Sequence, residues 1–147
     1  MPLSRAVVLD DRLLVDELLV GLGAATKRKQ LWTTATWYFR ACRAATLGAG
    51  GQLSGPFTTL GAEEQRLAIL SLLELRDEIA LPDPRVTVPA MARLAIRHPR
   101  LNLLNLEAIA LAQSIEASVW MSEGTANGLL PDVLDTEGVP WVLVGIA

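Results

Sequence analysis

Two short stretches, "AVVLD" (6–10) and "SVWMS" (118–122), carry apolar residues through consecutive positions instead of alternating them with polar ones. A strand with one face in water alternates with a period of two, whereas a strand covered on both faces does not. These runs therefore require helices on both sides of a sheet. The intervening sequence supplies them. "DRLLVDELLVG" (11–21) has apolar residues at 13, 14, 18 and 19, and Gly21 and Gly23 punctuate its end. "LWTTATWYFRACRAATLG" (31–48) begins extended and turns helical near Ala35, then meets the glycine-rich "GAGGQLSG". Helices are expected over 61–78, where Glu63 and Glu64 suit the first turn, and over 86–99, where Pro89 is tolerable only in a first turn. A short extended "IALPD" separates them. "LNLLNLEAIALAQSIEA" (101–117) is apolar almost all round, as in a helix buried on several sides. A loop and short helix (125–138) lead to a last strand, "PWVLVGI" (140–146). Strands alternating with helices indicate one α/β domain over 1–147, with a mostly parallel central sheet flanked by helices.

Composition narrows the function. A chain of 147 residues with 51% hydrophobic and 20% charged residues forms one packed core. No apolar run approaches the roughly 20 residues that span a bilayer, and "MPLSRAVVLD" has no signal-peptide pattern, so a cytoplasmic location without membrane attachment is expected. The lone Cys42 has no partner for an internal disulfide and no neighbours at metal-ligand spacing. A net charge of −3 argues against a general nucleic-acid coat. The local exception is "KRKQ", where Lys27, Arg28 and Lys29 are candidate RNA contacts against the plainer reading of a solvated loop. His98, the single histidine, sits near a helix end before Pro99, and reads as a helix-terminal residue. Trp120 and Trp141 fall in strand patterns and read as core, while Trp37 and Tyr38 suit either the core or a partner surface.

In an open parallel sheet, sites form beyond the carboxyl ends of the strands. Two acids lie there: Asp10 after "AVVL" and Glu123 after "SVWMS". Oxygen ligands on converging strand ends suit Mg²⁺ or Mn²⁺. Helix capping is the competing use of an aspartate at this position. Of the adjacent pair, Asp10 is the candidate metal ligand and Asp11 the candidate cap, with Asp11 also able to join the metal shell. Phosphoryl chemistry is disfavoured. A phosphorelay receiver needs a late lysine, and none follows Lys29; a haloacid-dehalogenase-type phosphatase needs a second Asp two residues after the first, where Arg12 stands.

The order of elements, with "AVVLD" at one end and "LNLLNLEAIALA…ASVWMSE…LDTEGVPWVLV" at the other, resembles a PIN domain, the metal-dependent nuclease fold of VapC-type toxins. The resemblance implies three or four acids holding Mg²⁺ or Mn²⁺, with a metal-bound water attacking a phosphodiester. Asp10 matches the first acid, and Glu123 falls where an Asp is usual. Two positions depart: Arg40 stands where a helix normally carries Glu, and Asn105 stands where another acid is expected. Glu107 does not replace it, because residues two apart differ by about 200° around a helix; it reads as paired or solvated. Asn102 and Asn105 share a face, and Asn can lend a carbonyl oxygen but no charge. Arg40 either turns into the pocket and substitutes for the ion, or points outward beside Arg43.

Two functions follow. One is a Mg²⁺- or Mn²⁺-dependent endoribonuclease of the toxin–antitoxin type, with Asp10, Glu123 and Asn105 catalytic, structured RNA as substrate and a small antitoxin as partner. The other is a PIN-like pseudonuclease that uses the scaffold to bind RNA or protein and needs no cofactor. The resemblance also implies a homodimer.

Overall fold

The computed structural model describes residues 5–47 and 61–145. Strand β1 (Ala6–Leu9) is buried at all four positions and lies at the centre of the sheet. It pairs in parallel with β2 (Gln30–Thr33) on one side and β4 (Ser118–Met121) on the other. The two-residue β3 (Ile79–Ala80) extends β2, and β5 (Trp141–Leu143) extends β4, also in parallel. The five strands thus run β3-β2-β1-β4-β5, an all-parallel sheet flanked by helices, as the unalternated apolar runs require.

Parallel neighbours need crossovers, and the helices supply them. These are α1 (Asp11–Leu19), α2 (Ala35–Leu47), α3 (Ala62–Leu73), α4 (Pro84–Arg97), α5 (Leu103–Ile115), α6 (Glu123–Ala126) and α7 (Leu130–Thr136), with a 3₁₀ turn at Gly23–Thr26. Two apolar clusters cover the two faces of the sheet. Val7, Leu9 and Trp120 pack with Leu13 and Leu14 of α1 and Leu72 of α3. Val8, Val119 and Met121 pack with Leu94 of α4, Ile109 and Leu111 of α5, and Leu134 of α7. Helix α2 serves both, placing Trp37 in the second cluster and Ala41, Ala44 and Ala45 in the first.

The element order matches the sequence reading except that a short helix, α6, opens at Glu123 where no helix was expected, and several boundaries move. The helix expected over 61–78 ends at Leu73, and Arg76 already accepts from the Ile79 amide in the turn into β3. The helix expected from 86 begins at Pro84, because the Asp83 side chain accepts from the Arg85 amide and caps it. Pro89 therefore lies inside α4, not in its first turn. The final strand shortens to Trp141–Leu143. "GAGGQLSG" lies outside the described residues. Among the described residues, no helix is long and apolar enough to cross a membrane.

Candidate functional site

The chain runs outward from β1 through β2 to β3, then returns to the other side of β1 for β4 and β5. The direction reverses between β1 and β4, and their carboxyl ends open a crevice there. Asp10 follows β1 at this point, and Ser122 follows β4.

Asp10 is completely buried, and its carboxylate is fully engaged. Oδ1 accepts from the Leu13 amide at 2.8 Å, which makes Asp10 the N-cap of α1. Oδ2 accepts from the Ser122 amide at 2.8 Å, the Ser122 hydroxyl at 2.8 Å and the Thr125 hydroxyl at 2.7 Å. One side chain thus ties β1, the start of α1 and the start of α6 together. The competing use of Asp10 is therefore realised: Asp10 is the cap, and Asp11, the expected cap, is not. The reason lies in the backbone. Asp10 is still extended (φ −73°, ψ 178°), the conformation from which a side chain reaches back to the third residue on, whereas Asp11 is already helical.

Asp11 instead faces a cleft of about 200 Å³, lined by Asp11, Trp37, Arg40, Asn105, Thr125 and the residues beside them. Its Oδ2 lies 3.2 Å from Arg40 Nε. Arg40 therefore turns inward, as one of its two readings required, but its partner is Asp11 and not Asp10 or Glu123. Arg43 lies over the Phe39 ring, 5.8 Å from its centroid. Burial pushes the Asp11 carboxyl above its usual range, the adjacent Asp10 charge adds to this, and Arg40 opposes both. Burial likewise raises Asp16, one turn on, against the pull of Arg12 at 3.7 Å.

The other expected site residues divide. Asn105 lines the cleft, with its amide bonded to the Asn102 side chain at the first turn of α5. Glu123 opens α6 but is exposed, and the cleft wall is made by the following Gly124 and Thr125. Glu107 faces away from Asn105, as the helix geometry required. It is buried and accepts from the Ala35 and Thr36 amides at 3.0 and 2.9 Å, and from the Thr36 hydroxyl at 2.6 Å, capping α2 from a distance of 71 residues in sequence. Lys27, Arg28 and Lys29 precede β2, so they sit at the amino end of the sheet, opposite the cleft. His98 ends α4 and bonds Glu137 at 2.8 Å. Trp37 is core and cleft wall together.

Sequence reasoning missed Ser122 and Thr125. Their signal was a hydroxyl at the end of β4 and another three residues on, the spacing that places both on the first turn of a helix.

As arranged, these donors form no ready-made divalent-ion site among the described residues. Mg²⁺ and Mn²⁺ need carboxylate oxygens with free lone pairs. Asp10 Oδ2 accepts three protein hydrogen bonds and Oδ1 accepts one, Asp11 has one oxygen against a guanidinium, and Glu123 is not among the residues that line the cleft. Among the described residues, no group of three or more His, Cys, Asp or Glu is arranged to hold a metal. No protein-family model matches the chain, and no curated protein does.

Proposed function

We propose that the chain is a PIN-like pseudonuclease, a metal-independent binding module whose strand-end cleft holds a segment of a protein partner. The observation that carries this reading is the buried Asp10 carboxylate, which caps α1 and fastens α6 with four hydrogen bonds from protein donors. The residue that would lead a metal site is spent on structure. Arg40 supplies the counter-charge at Asp11 that a metal would otherwise supply. A protein segment is favoured over RNA by charge. The charged residues that line the cleft, Asp11 and Arg40, pair and cancel, so the cleft offers no excess positive charge to a phosphate backbone, and the lysines at 27 and 29 lie at the far end of the sheet.

A second reading, the Mg²⁺- or Mn²⁺-dependent ribonuclease of a toxin–antitoxin pair, draws on Asp11, Asn105 and Thr125 facing one cleft at the switch point. It requires Arg40 to leave Asp11 when a metal enters.

Thermal unfolding with added metal separates the two. A site with a Kd of about 10 µM would add about 2.7 kcal/mol at roughly 1 mM Mn²⁺, a rise of several degrees in midpoint. The expected result is an unchanged midpoint, no cleavage of RNA by the wild type or Asp10→Asn with either metal, and no RNA binding in anisotropy at physiological salt. A rise in midpoint that Asp11→Asn abolishes, accompanied by RNA cleavage, would overturn the pseudonuclease reading.

A further inference from the structure

Away from the cleft, exposed charge is sorted onto two helices. Residues 84–106 contain Arg85, Arg93, Arg97 and Arg100 and no acid. Glu137 engages Arg97 at 3.0 Å, whereas Arg85, Arg93 and Arg100 form no ion pair with any described residue. Among these arginines α4 exposes Val86, Val88 and Ile96, the last at 83%. Arg85, Arg93 and Ile96 lie on the side opposite buried Thr87 and Leu94.

Helix α3 and the turn after it are the counterpart. Leu67, Leu70 and Leu73 are exposed at three-residue spacing, and so lie along one side of the helix. Glu64, Glu74, Asp77 and Glu78 stand around them without ion pairs to described residues, while Arg66 is taken by Glu63 and Arg76 by Glu17. An acidic apolar face and a basic apolar face of similar length thus occur on one chain.

Their placement decides how they can meet. Helix α3 packs on the Val7 and Leu9 face of the sheet, and α4 packs on α5, in the cluster that covers the Val8 and Val119 face. A two-fold dimer uses one patch against itself, so it cannot bury both of these opposite faces at once. We infer that the chain associates with itself head to tail, the acidic apolar face of α3 in one copy seated on the arginine-rich face of α4 in the next. Each contact leaves one α3 and one α4 free at the ends, so association continues beyond a pair. Helices of 12 and 14 residues are about 18 and 21 Å long, which gives a contact of the small, transient class, steered by charge and weakened by salt.

Sedimentation velocity on the full chain tests this with two variants, each losing one face. Leu67→Gln/Leu70→Gln removes the α3 face, and Arg93→Gln/Ile96→Gln removes the α4 face. All four positions are exposed, and far-UV circular dichroism checks that each variant is folded. The wild type should sediment as a series that grows with concentration and retreats towards monomer at about 0.5 M NaCl. Each variant alone should stay monomeric. An equimolar mixture should form a dimer and nothing larger, because only one intact α3 face meets one intact α4 face. A wild type that stays monomeric at every concentration, growth that stops at a dimer, or a variant that self-associates alone would each overturn the inference.

Discussion

Asp10 and Asp11 are neighbours with opposite consequences for the fold. The Asp10 carboxylate accepts four hydrogen bonds in a fully buried setting. Asp10→Asn keeps one acceptor oxygen but turns an amide N–H₂ towards donors, leaving buried groups unpaired. The expected loss is about 2–4 kcal/mol, seen in urea as a lower midpoint with an unchanged slope. Asp11 has one ion pair, to an Arg40 side chain that is 36% exposed and can return to water. Its raised pKa means the folded chain holds the Asp11 proton more tightly than the unfolded chain does. Stability from this group is therefore complete below the unfolded value of 3.8 and is lost as pH rises through the folded value. Asp11→Asn removes that loss together with the ion pair, so at neutral pH it should change stability by less than about 1 kcal/mol. A cost equal to that of Asp10→Asn would refute this division of roles.

At the scale of elements, the sequence was most informative where burial is uniform and least informative where a distant side chain decides. The unalternated strands and the all-apolar 101–117 stretch were legible because covering both sides of an element leaves no polar positions. The start of α4 was not, because Asp83 outweighs the expectation that Pro89 marks a first turn. The cap of α2 was half hidden: the Thr34 hydroxyl takes the Trp37 amide locally, but the Ala35 and Thr36 amides receive their acceptor from Glu107 on α5. Glu107→Ala leaves both amides and the Thr36 hydroxyl without that acceptor and should cost about 2–3 kcal/mol. Glu107→Gln retains one acceptor and should cost about 1 kcal/mol; equal costs would count against the capping role. A second long-range tie joins α4 to the end of α7. Glu137 accepts from Arg97 Nε and Nη2 at 3.3 and 3.0 Å and bonds the His98 ring at 2.8 Å. Hydrogen bonds from Arg97, then from His98, hold its carboxyl at about 2, below its ordinary 4.5. The tie is therefore complete above pH 4.5 and is lost as pH falls through about 2. Glu137→Gln should flatten the midpoint-versus-pH curve in that window, at a neutral-pH cost on the order of 1 kcal/mol. An unchanged acid limb would remove Glu137 from the account.

Over the whole molecule, the cleft borders the part of the sheet with the most cover. Val7, Val8 and Leu9 have no exposure, and β1 is bonded to a strand on each side, while Asp10 pins its carboxyl end to α6. The edge is different. Val142 and Leu143 of β5 are exposed, and that strand pairs on one side only. Exchange of a buried central strand requires the sheet to separate on both sides, whereas an edge strand can open alone. Amides of β1 should therefore exchange only with global unfolding, and those of β5 by local opening, several orders of magnitude faster. Asp10→Asn adds a sharper expectation. If Asp10 joins β1, α1 and α6 into one cooperative unit, its loss should lower the protection of Val8, Leu9 and Leu13 together, by the same free energy as the change in global stability. A drop confined to Leu13, with β1 unchanged, would show that Asp10 caps a helix and does nothing more. The strand-end cleft would then lack the rigid floor that a preformed binding site requires.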